Sequence, residues 1–255
     1  MLPRLPAFSR PEIAGIERGV AAVPRWVGLL FVTALLAYVA LRASEPAPVA
    51  AASALEAPLP VPALRVLSLG EPQAMAQTLV LALQAFDNQP GISIPFLALD
   101  YQGVIAWLNA ALMLDARSQY PLMMAAQLYG QVPDSGRQRV MCEFVHRKFL
   151  ERPNARWRWL AHCAIVARHR LNDSALALRY AEAIAQHAGG ASSWARQMRI
   201  FMLEDMGEIE RAKVLLGGLL AGNEITDARE IYFLTERLEK MRSVENPAAA
   251  PKTRQ

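Results

Sequence analysis

The sequence predicts an all-α protein in which one N-terminal membrane helix precedes a helical domain. An uncharged apolar run, WVGLLFVTALLAYVAL, occupies residues 26–41. Residues 64–242 show the three-to-four-residue apolar spacing of amphipathic helices joined by short connections. Small residues also recur at Ala106, Cys142, Ala177 and Ala212. Their regular spacing indicates helix pairs that stack on one another.

The apolar run predicts a transmembrane anchor over residues 25–42. As a helix it would span about 24 Å, slightly less than a hydrocarbon core of about 30 Å. Arg25 and Arg42 border the run, and their aliphatic stems can extend along the apolar surface to close this deficit. A buried core helix is disfavoured, because such a helix usually keeps a polar stripe.

The distribution of basic residues predicts the orientation of the anchor. Four arginines precede or border the run on its N-terminal side: Arg4, Arg10, Arg18 and Arg25. After the run, Arg42 is the last basic residue before Arg65. Because the more basic flank stays in the cytoplasm, residues 1–24 are expected to form a cytoplasmic tail. A cleaved signal peptide is the alternative, but its small-residue site near Ala50–Ala54 lies far from the run.

The remainder of the chain divides by composition. The proline- and alanine-rich segment 43–63 predicts a disordered linker, 64–242 the helical domain, and 243–255 a loose tail. Candidate helices cover 71–86, 101–115, 118–131, 136–151, 155–170, 174–188, 192–206, 208–221 and 227–241. Three aspartates are placed to cap helices: Asp134, Asp173 and Asp227. Segment Ile92–Leu99 contains Pro95 and is predicted to be a buried loop.

Segments 170–185 and 205–220 align at an offset of 35 residues, which also carries Trp159 onto Trp194. The chain resembles the tetratricopeptide repeat (TPR) family over about residues 101–223. The residues that carry the resemblance are Trp159, Ala177, Tyr180, Gly207, Ala212 and Leu215, with 204–212 as the best single match. The resemblance implies a TPR-like α-solenoid of antiparallel helix pairs.

In TPR proteins the first helices of the pairs line a groove that binds peptides. The resemblance therefore implies a groove formed by two of the helices, with partner-binding candidates at Trp157, Arg158, Leu160, Ala164, Arg168, Arg199 and Met202. The lysine- and asparagine-based clamp of carboxylate-binding TPR proteins is missing.

No catalytic, cofactor or metal site is expected. The Gly189-Gly190 pair is predicted to end a helix, and Gly217-Gly218 to mark a close helix contact. Metal binding by Cys142, His146, His162 and Cys163 is disfavoured, because the adjacent His162 and Cys163 point to different faces of one helix. The two cysteines are expected to be buried packing residues, and a disulfide between them is the open alternative.

A basic stretch covers residues 137–170. Its members are Arg137, Arg139, Arg147, Lys148, Arg152, Arg156, Arg158, Arg168 and Arg170. The predicted topology places these residues beyond the membrane, which argues against a nucleic-acid partner. The stretch is interpreted either as a solvated face or as a site for an anionic lipid, an acidic glycan or an acidic protein.

Together these features predict a non-enzymatic scaffold or assembly factor. The resemblance to anchored repeat proteins implies a bacterial inner-membrane location with the helical domain in the periplasm and a protein partner. The alternative is a binding module for an anionic envelope polymer or lipid through residues 137–170.

Overall fold

The computed structural model describes residues 24–44, 52–222, 225 and 227–245. The chain divides into two units, Met1–Val49 and Ala50–Gln255. The described residues are mostly helical, as an all-α class predicts, and their only strands are two of two residues each. The predicted cytoplasmic tail lies outside the described residues except for Pro24.

The first unit contains helix α1, Arg25–Ser44. Its 20 residues give a length of about 30 Å, which equals the thickness of a hydrocarbon core. Residues Arg25–Ala43 have a mean hydropathy of 1.9 and none of them is buried. The helix continues beyond Arg42, so it is longer than the apolar run alone and is long and apolar enough to cross a membrane.

The second unit contains ten helices among its described residues. They are α2 (Val61–Leu67), α3 (Pro72–Ala85), α4 (Tyr101–Leu114), α5 (Tyr120–Met123), α6 (Ser135–Glu151), α7 (Pro153–His169), α8 (Ser174–His187), α9 (Ser193–Asp205), α10 (Ile209–Ala221) and α11 (Ala228–Glu245). Strands β1 (Asn88–Gln89) and β2 (Ile92–Ser93) form a minimal antiparallel hairpin between α3 and α4. Each helix from α6 to α10 packs on the next one in the chain, ending with α10 on α11.

Aspartate side chains begin several of these helices. Asp134 accepts a hydrogen bond from the Arg137 amide at 2.7 Å, and Asp173 accepts one from the Leu176 amide at 2.9 Å. Asp227 accepts one from the Arg229 amide at 2.8 Å. These bonds satisfy amides that have no partner within the first turn. The three predicted caps are therefore confirmed.

The predicted helix over 118–131 is interrupted in the structure. Helix α5 lasts only to Met123, a π-helical stretch follows over Met124–Leu128, and a 3-10 turn ends at Gln131. Gly130 marks the tight point, since a Cβ added there would lie 2.8 Å from the Ala125 carbonyl oxygen. Apolar spacing cannot distinguish these helix types, which explains the difference.

The loop predicted over Ile92–Leu99 is less buried than expected. It contains strand β2 and a 3-10 turn over Phe96–Ala98, and of its residues only Leu99 is fully buried. Pro95 precedes the turn in an extended conformation, with the ring holding φ at −63°.

The ordered domain begins earlier than residue 64. Glu56 accepts a hydrogen bond on its carbonyl oxygen from Trp107 Nε1 at 2.8 Å, and the Ser53 amide donates to Gln89 Oε1 at 2.8 Å. Residues 61–63 already belong to α2. The structure therefore differs from the expected disordered linker over residues 52–63, because Leu55 and Val61 pack against the hydrophobic core. Residues 45–51 lie outside the described part.

The small residues of the repeat are buried as predicted at three positions. Cys142, Ala177 and Ala212 are at most 1% exposed, whereas Ala106 is half-buried. The prediction of a close helix contact at Gly217-Gly218 was wrong. A Cβ added at either glycine would meet no atom within 4 Å. The Gly189-Gly190 pair follows the end of α8, as predicted.

Polar contacts connect helices that are two apart along the chain. Arg139 Nη2 donates to Asp173 Oδ2 at 2.8 Å across 34 residues, and Arg168 Nε donates to Asp205 Oδ2 at 3.1 Å across 37 residues. Arg179 pairs with Glu143 across 36 residues, and Arg237 with Glu204 across 33. These separations lie close to the 35-residue offset of the sequence. Helices two apart along the chain therefore contact one another through side chains 33 to 37 residues apart.

Candidate functional site

The structure places most of the predicted groove residues in the core. Leu160 and Ala164 are fully buried, Met202 is 6% exposed, and Trp157 is 9% exposed. These side chains fill the space between packed helices, so they offer almost no surface to a partner. This burial differs from the exposed groove positions that the TPR resemblance implies for them.

The three predicted arginines have different surroundings. Arg158 is exposed, and its guanidinium lies 5.3 Å from the centroid of the Trp157 ring. Arg168 binds the Asp205 carboxylate. Arg199 is half-buried, and its Nε is enclosed without a hydrogen-bond acceptor among the described residues. Of the predicted set, Arg158 is therefore the residue whose charge remains available at the surface.

Two tryptophans meet between the first turns of α7 and α9. The ring centroids of Trp157 and Trp194 lie 5.7 Å apart, and the ring planes cross at 70°. This edge-to-face arrangement is a favourable aromatic geometry. Trp194 covers one side of Trp157 and is itself 51% exposed. We call the surface formed by Trp157, Arg158 and Trp194 the tryptophan seam.

Local contacts hold the two helices of the tryptophan seam in register. Asn154 Oδ1, at the start of α7, accepts a hydrogen bond from the Gly190 amide at 2.9 Å, just before α9. At the other end of the same helices, Arg168 and Asp205 form the ion pair described above. Contacts near both ends therefore hold α9, which carries the exposed Trp194 ring, against α7. In the sequence, the 35-residue offset pairs Trp194 with Trp159. In the structure, the tryptophan ring that contacts Trp194 is that of Trp157.

Most basic side chains of residues 137–170 bond to other groups of the same chain. Seven of the nine bond to carboxylates or backbone carbonyls: Arg137, Arg139, Lys148, Arg152, Arg156, Arg168 and Arg170. Arg147 is exposed, and Arg158 lies over Trp157. A sequence count of arginines therefore overstates the charge that an anionic ligand would meet.

His146, His162 and both cysteines are packing residues in this fold, whereas His169 and His187 are exposed. His162 Nε2 lies 3.1 Å from Gln131 Nε2, and burial lowers the pKa of His162 below its usual value. His146 packs 5.2 Å from the Tyr180 ring, and burial likewise lowers its pKa. No group of three or more metal-ligating side chains occurs within residues 24–44, 52–222 or 227–245.

The two thiols lie together in the core. Cys142 and Cys163 are free and at most 1% exposed, on α6 and α7 respectively. Burial raises the pKa of the Cys163 thiol, and the neighbouring Cys142 adds to that effect. The Cys163 thiol is therefore protonated at neutral pH, and a protonated thiol is a poor nucleophile. The two cysteines occupy the small-residue positions at which α6 and α7 approach each other.

No protein-family model, curated protein or solved structure matches this chain.

Proposed function

We propose that the chain is a non-enzymatic scaffold or assembly factor. Helix α1 anchors it in the bacterial inner membrane, and its TPR-like domain binds a protein partner in the periplasm. The observation that carries the proposal is the tryptophan seam, where half of the Trp194 side chain remains in solvent although the ring is held against Trp157. A large exposed aromatic side chain on a braced scaffold is typical of a protein-binding surface.

Helix α1 supports the membrane part of the proposal. Its length of about 30 Å matches a hydrocarbon core, and its side chains are unburied. The arginine bias of the sequence favours an N-terminus in the cytoplasm. The second unit would then lie on the other side of the membrane.

The spacing of the polar contacts supports the repeat architecture. Arg139–Asp173, Arg168–Asp205 and Arg237–Glu204 join side chains 33 to 37 residues apart. Stacked helix pairs of about 34 residues produce such contacts, because equivalent helices lie side by side. Proteins built in this way use extended surfaces between equivalent helices to bind other proteins.

The chemistry of the tryptophan seam indicates the kind of segment that it would bind. The Trp194 ring offers an apolar surface, and Arg158 adds a positive charge beside it. An extended peptide with an apolar side chain next to a carboxylate would satisfy both groups. The alternative, binding of an anionic polymer by residues 137–170, has less support because seven of the nine basic side chains there already have partners.

Photo-cross-linking in native membranes tests the proposal. A photoreactive phenylalanine analogue replaces Trp194 in the full chain, and a matched chain carries it at Val214, which is 73% exposed on α10. We expect one discrete protein adduct at position 194 and none at 214. The variant Arg158→Ala should reduce the adduct at 194. Equal labelling at both positions, or adducts with lipid alone, would contradict a protein-binding seam.

A further inference from the structure

A pocket lies between α3 and the segment that runs from the end of α4 to the first turn of α5. Its volume is about 360 Å³. Sites for small ligands typically have volumes of about 300–1,000 Å³, so the pocket can hold a small organic molecule. The residues that line it are Ala76, Gln77, Val80 and Leu81 of α3, and Asp115, Ser118, Tyr120 and Pro121 of the other segment.

Contacts of the fold hold both sides of this pocket in place. Ala76 and Val80 are each 3% exposed, and Pro121, in the first turn of α5, is buried. Gln84 Nε2 donates a hydrogen bond to Tyr120 Oη at 2.6 Å, which joins α3 to α5 at the pocket. The space therefore exists without a ligand, as it does in most small-molecule sites.

Part of the lining is aliphatic and open to water. Leu81 lines the pocket and is 61% exposed, so its side chain forms part of the rim. A ligand with an apolar stem would cover this surface and that of Val80. Removal of apolar surface from water is favourable, so the pocket favours a ligand with an apolar part.

Asp115 is the charged side chain among the described residues that line the pocket. It is half-buried, and its Oδ1 accepts a hydrogen bond from the Arg117 amide at 3.0 Å. Within the described part of the chain, no other group bonds to this carboxylate and no basic side chain forms an ion pair with it. A carboxylate that faces a pocket without a counter-ion attracts a cation.

The arginines near Asp115 in the fold are directed to other groups. Arg152 Nη1 and Arg156 Nη2 both donate to the Ala116 carbonyl oxygen, at 2.7 Å and 3.2 Å. Arg156 also pairs with Glu151. Neither guanidinium lines the pocket. The charge that faces the pocket is therefore the negative charge of Asp115.

We propose that this pocket binds a small amphipathic cation, in which an apolar stem ends in an ammonium or guanidinium group. The stem lies against Val80, Leu81 and Pro121, and the cationic head binds the Asp115 carboxylate. The ring of Tyr120 faces the same space, and aromatic rings attract cations. A carboxylate ligand of the same shape is repelled. This inference does not depend on the membrane anchorage or on the tryptophan seam.

Three fluorinated probes with one common stem test the charge of the head group. They are para-fluorophenethylamine, the corresponding alcohol and the corresponding carboxylate. The full chain in phospholipid nanodiscs is titrated with each probe, and broadening of the fluorine NMR signal gives Kd. Empty nanodiscs measure binding of each probe to lipid. We expect the amine to bind about tenfold more tightly than the alcohol, and the carboxylate not to bind.

The variant Asp115→Asn tests the role of the carboxylate. Asparagine keeps an oxygen for the Arg117 amide, so the variant should retain its fold, which circular dichroism checks. We expect its affinity for the amine to fall about tenfold, to that of the alcohol, while its affinity for the alcohol changes little. Glu208→Gln is the matched control, since it removes an exposed carboxylate before α10, and it should change neither affinity.

The variant Leu81→Lys tests whether the amine binds in this pocket, and it carries the test if Asp115→Asn unfolds. The exposed position tolerates a lysine, whose ammonium group competes with the amine at the rim and should weaken its binding. Equal affinities for amine and alcohol, or an amine affinity unchanged by either pocket variant, would overturn the inference. A lysine-containing peptide that binds more tightly than the free amine would assign the pocket to a protein side chain and would also overturn it.

Discussion

The guanidinium of Arg156, although charged, is 1% exposed and donates from Nη2 to the Ala116 carbonyl oxygen at 3.2 Å. The same carbonyl accepts a bond from Arg152 Nη1 at 2.7 Å. Arg156 Nη1 also bonds to the Lys148 carbonyl oxygen at 2.6 Å and to Glu151 at 2.9 Å. One buried side chain therefore connects α7 with the end of α6 and with the loop after α4.

Replacing Arg156 with alanine should destabilise the domain by about 3 kcal/mol. The variant loses bonds to a carboxylate and two carbonyl groups and leaves a cavity where the side chain lay. Arg156→Lys should recover only part of the loss, because an ammonium group cannot reproduce the guanidinium geometry. Thermal unfolding in detergent, followed by circular dichroism, measures both variants. Arg158→Ala is the matched control on the same helix, and a similar loss there would contradict a specific role for Arg156.

Some of the ion pairs between helices that are two apart along the chain could have been found from the sequence. The offset of 35 residues was visible in the alignment of 170–185 with 205–220, and opposite charges lie about one offset apart at Arg139–Asp173 and Glu143–Arg179. Checking each arginine for an acidic residue one repeat away would have assigned part of the basic stretch to the fold. The backbone acceptors of Arg152, Arg156 and Arg170 carry no such signal, because any residue has a carbonyl group.

The cap of α8 should make stability depend on acidic pH. The Leu176 amide and then Arg139 lower the pKa of Asp173 below its usual value. The folded state therefore favours the carboxylate, and this stability is present above the unfolded pKa of about 3.9 and is lost as the pH falls through the folded value. Asp173→Ala, which removes the capping oxygen, should cost about 1 kcal/mol at pH 7 and progressively less below pH 4. Denaturant unfolding between pH 7 and pH 3 measures the difference, with Glu239→Gln on exposed α11 as the control.

Burial of His162 should also make the stability of the domain depend on pH, in a higher range than the cap at Asp173 does. Burial lowers its pKa below 6.5, so the folded state favours the neutral ring. This stability is fully present above about pH 6.5 and is lost as the pH falls from there towards the folded pKa. His162→Gln should flatten the stability profile between pH 7 and pH 5, whereas the exposed His169→Gln should not. A profile unchanged by His162→Gln would contradict the expectation, since it would show that folding does not shift the pKa of this ring.

The interior of the 118–131 segment shows where sequence patterns fail. Apolar spacing and Pro121 correctly indicate a helical segment, and Leu122, Ala125 and Tyr129 are buried. The change to a π-helical stretch depends on how α4, α6 and α7 surround the segment. Tyr101 Oη, for example, donates to the Tyr129 carbonyl oxygen at 3.0 Å. Such tertiary contacts decide the hydrogen-bond pattern of a short helix and leave no period in the sequence.

The predicted groove positions differ from the structure for a related reason. A TPR pattern predicts which residues of a helix face a partner only if its register is right to within one residue. Each residue turns the helix by about 100°, so a shift of one residue points a different side chain at the partner. Leu160 and Met202, which the transferred register assigns to the groove, are buried in the structure. Trp194 was recognised only as the counterpart of Trp159, yet its exposure makes it the stronger candidate. A solvent-exposed aromatic side chain cannot be told from a packed one by sequence spacing alone.

A pair of glycine substitutions should separate close packing from open space. A Cβ at Gly130 would lie 2.8 Å from the Ala125 carbonyl oxygen, so Gly130→Ala must displace backbone of the π-helical stretch. We expect a loss of about 1–3 kcal/mol. At Gly217 within α10, a Cβ meets no atom within 4 Å. Gly217→Ala should therefore stabilise the domain by about 0.5–1 kcal/mol, because alanine loses less backbone entropy in a helix. Denaturant unfolding of both variants measures the contrast, and a stabilising Gly130→Ala would show that the approach of Ala125 is not a constraint in solution.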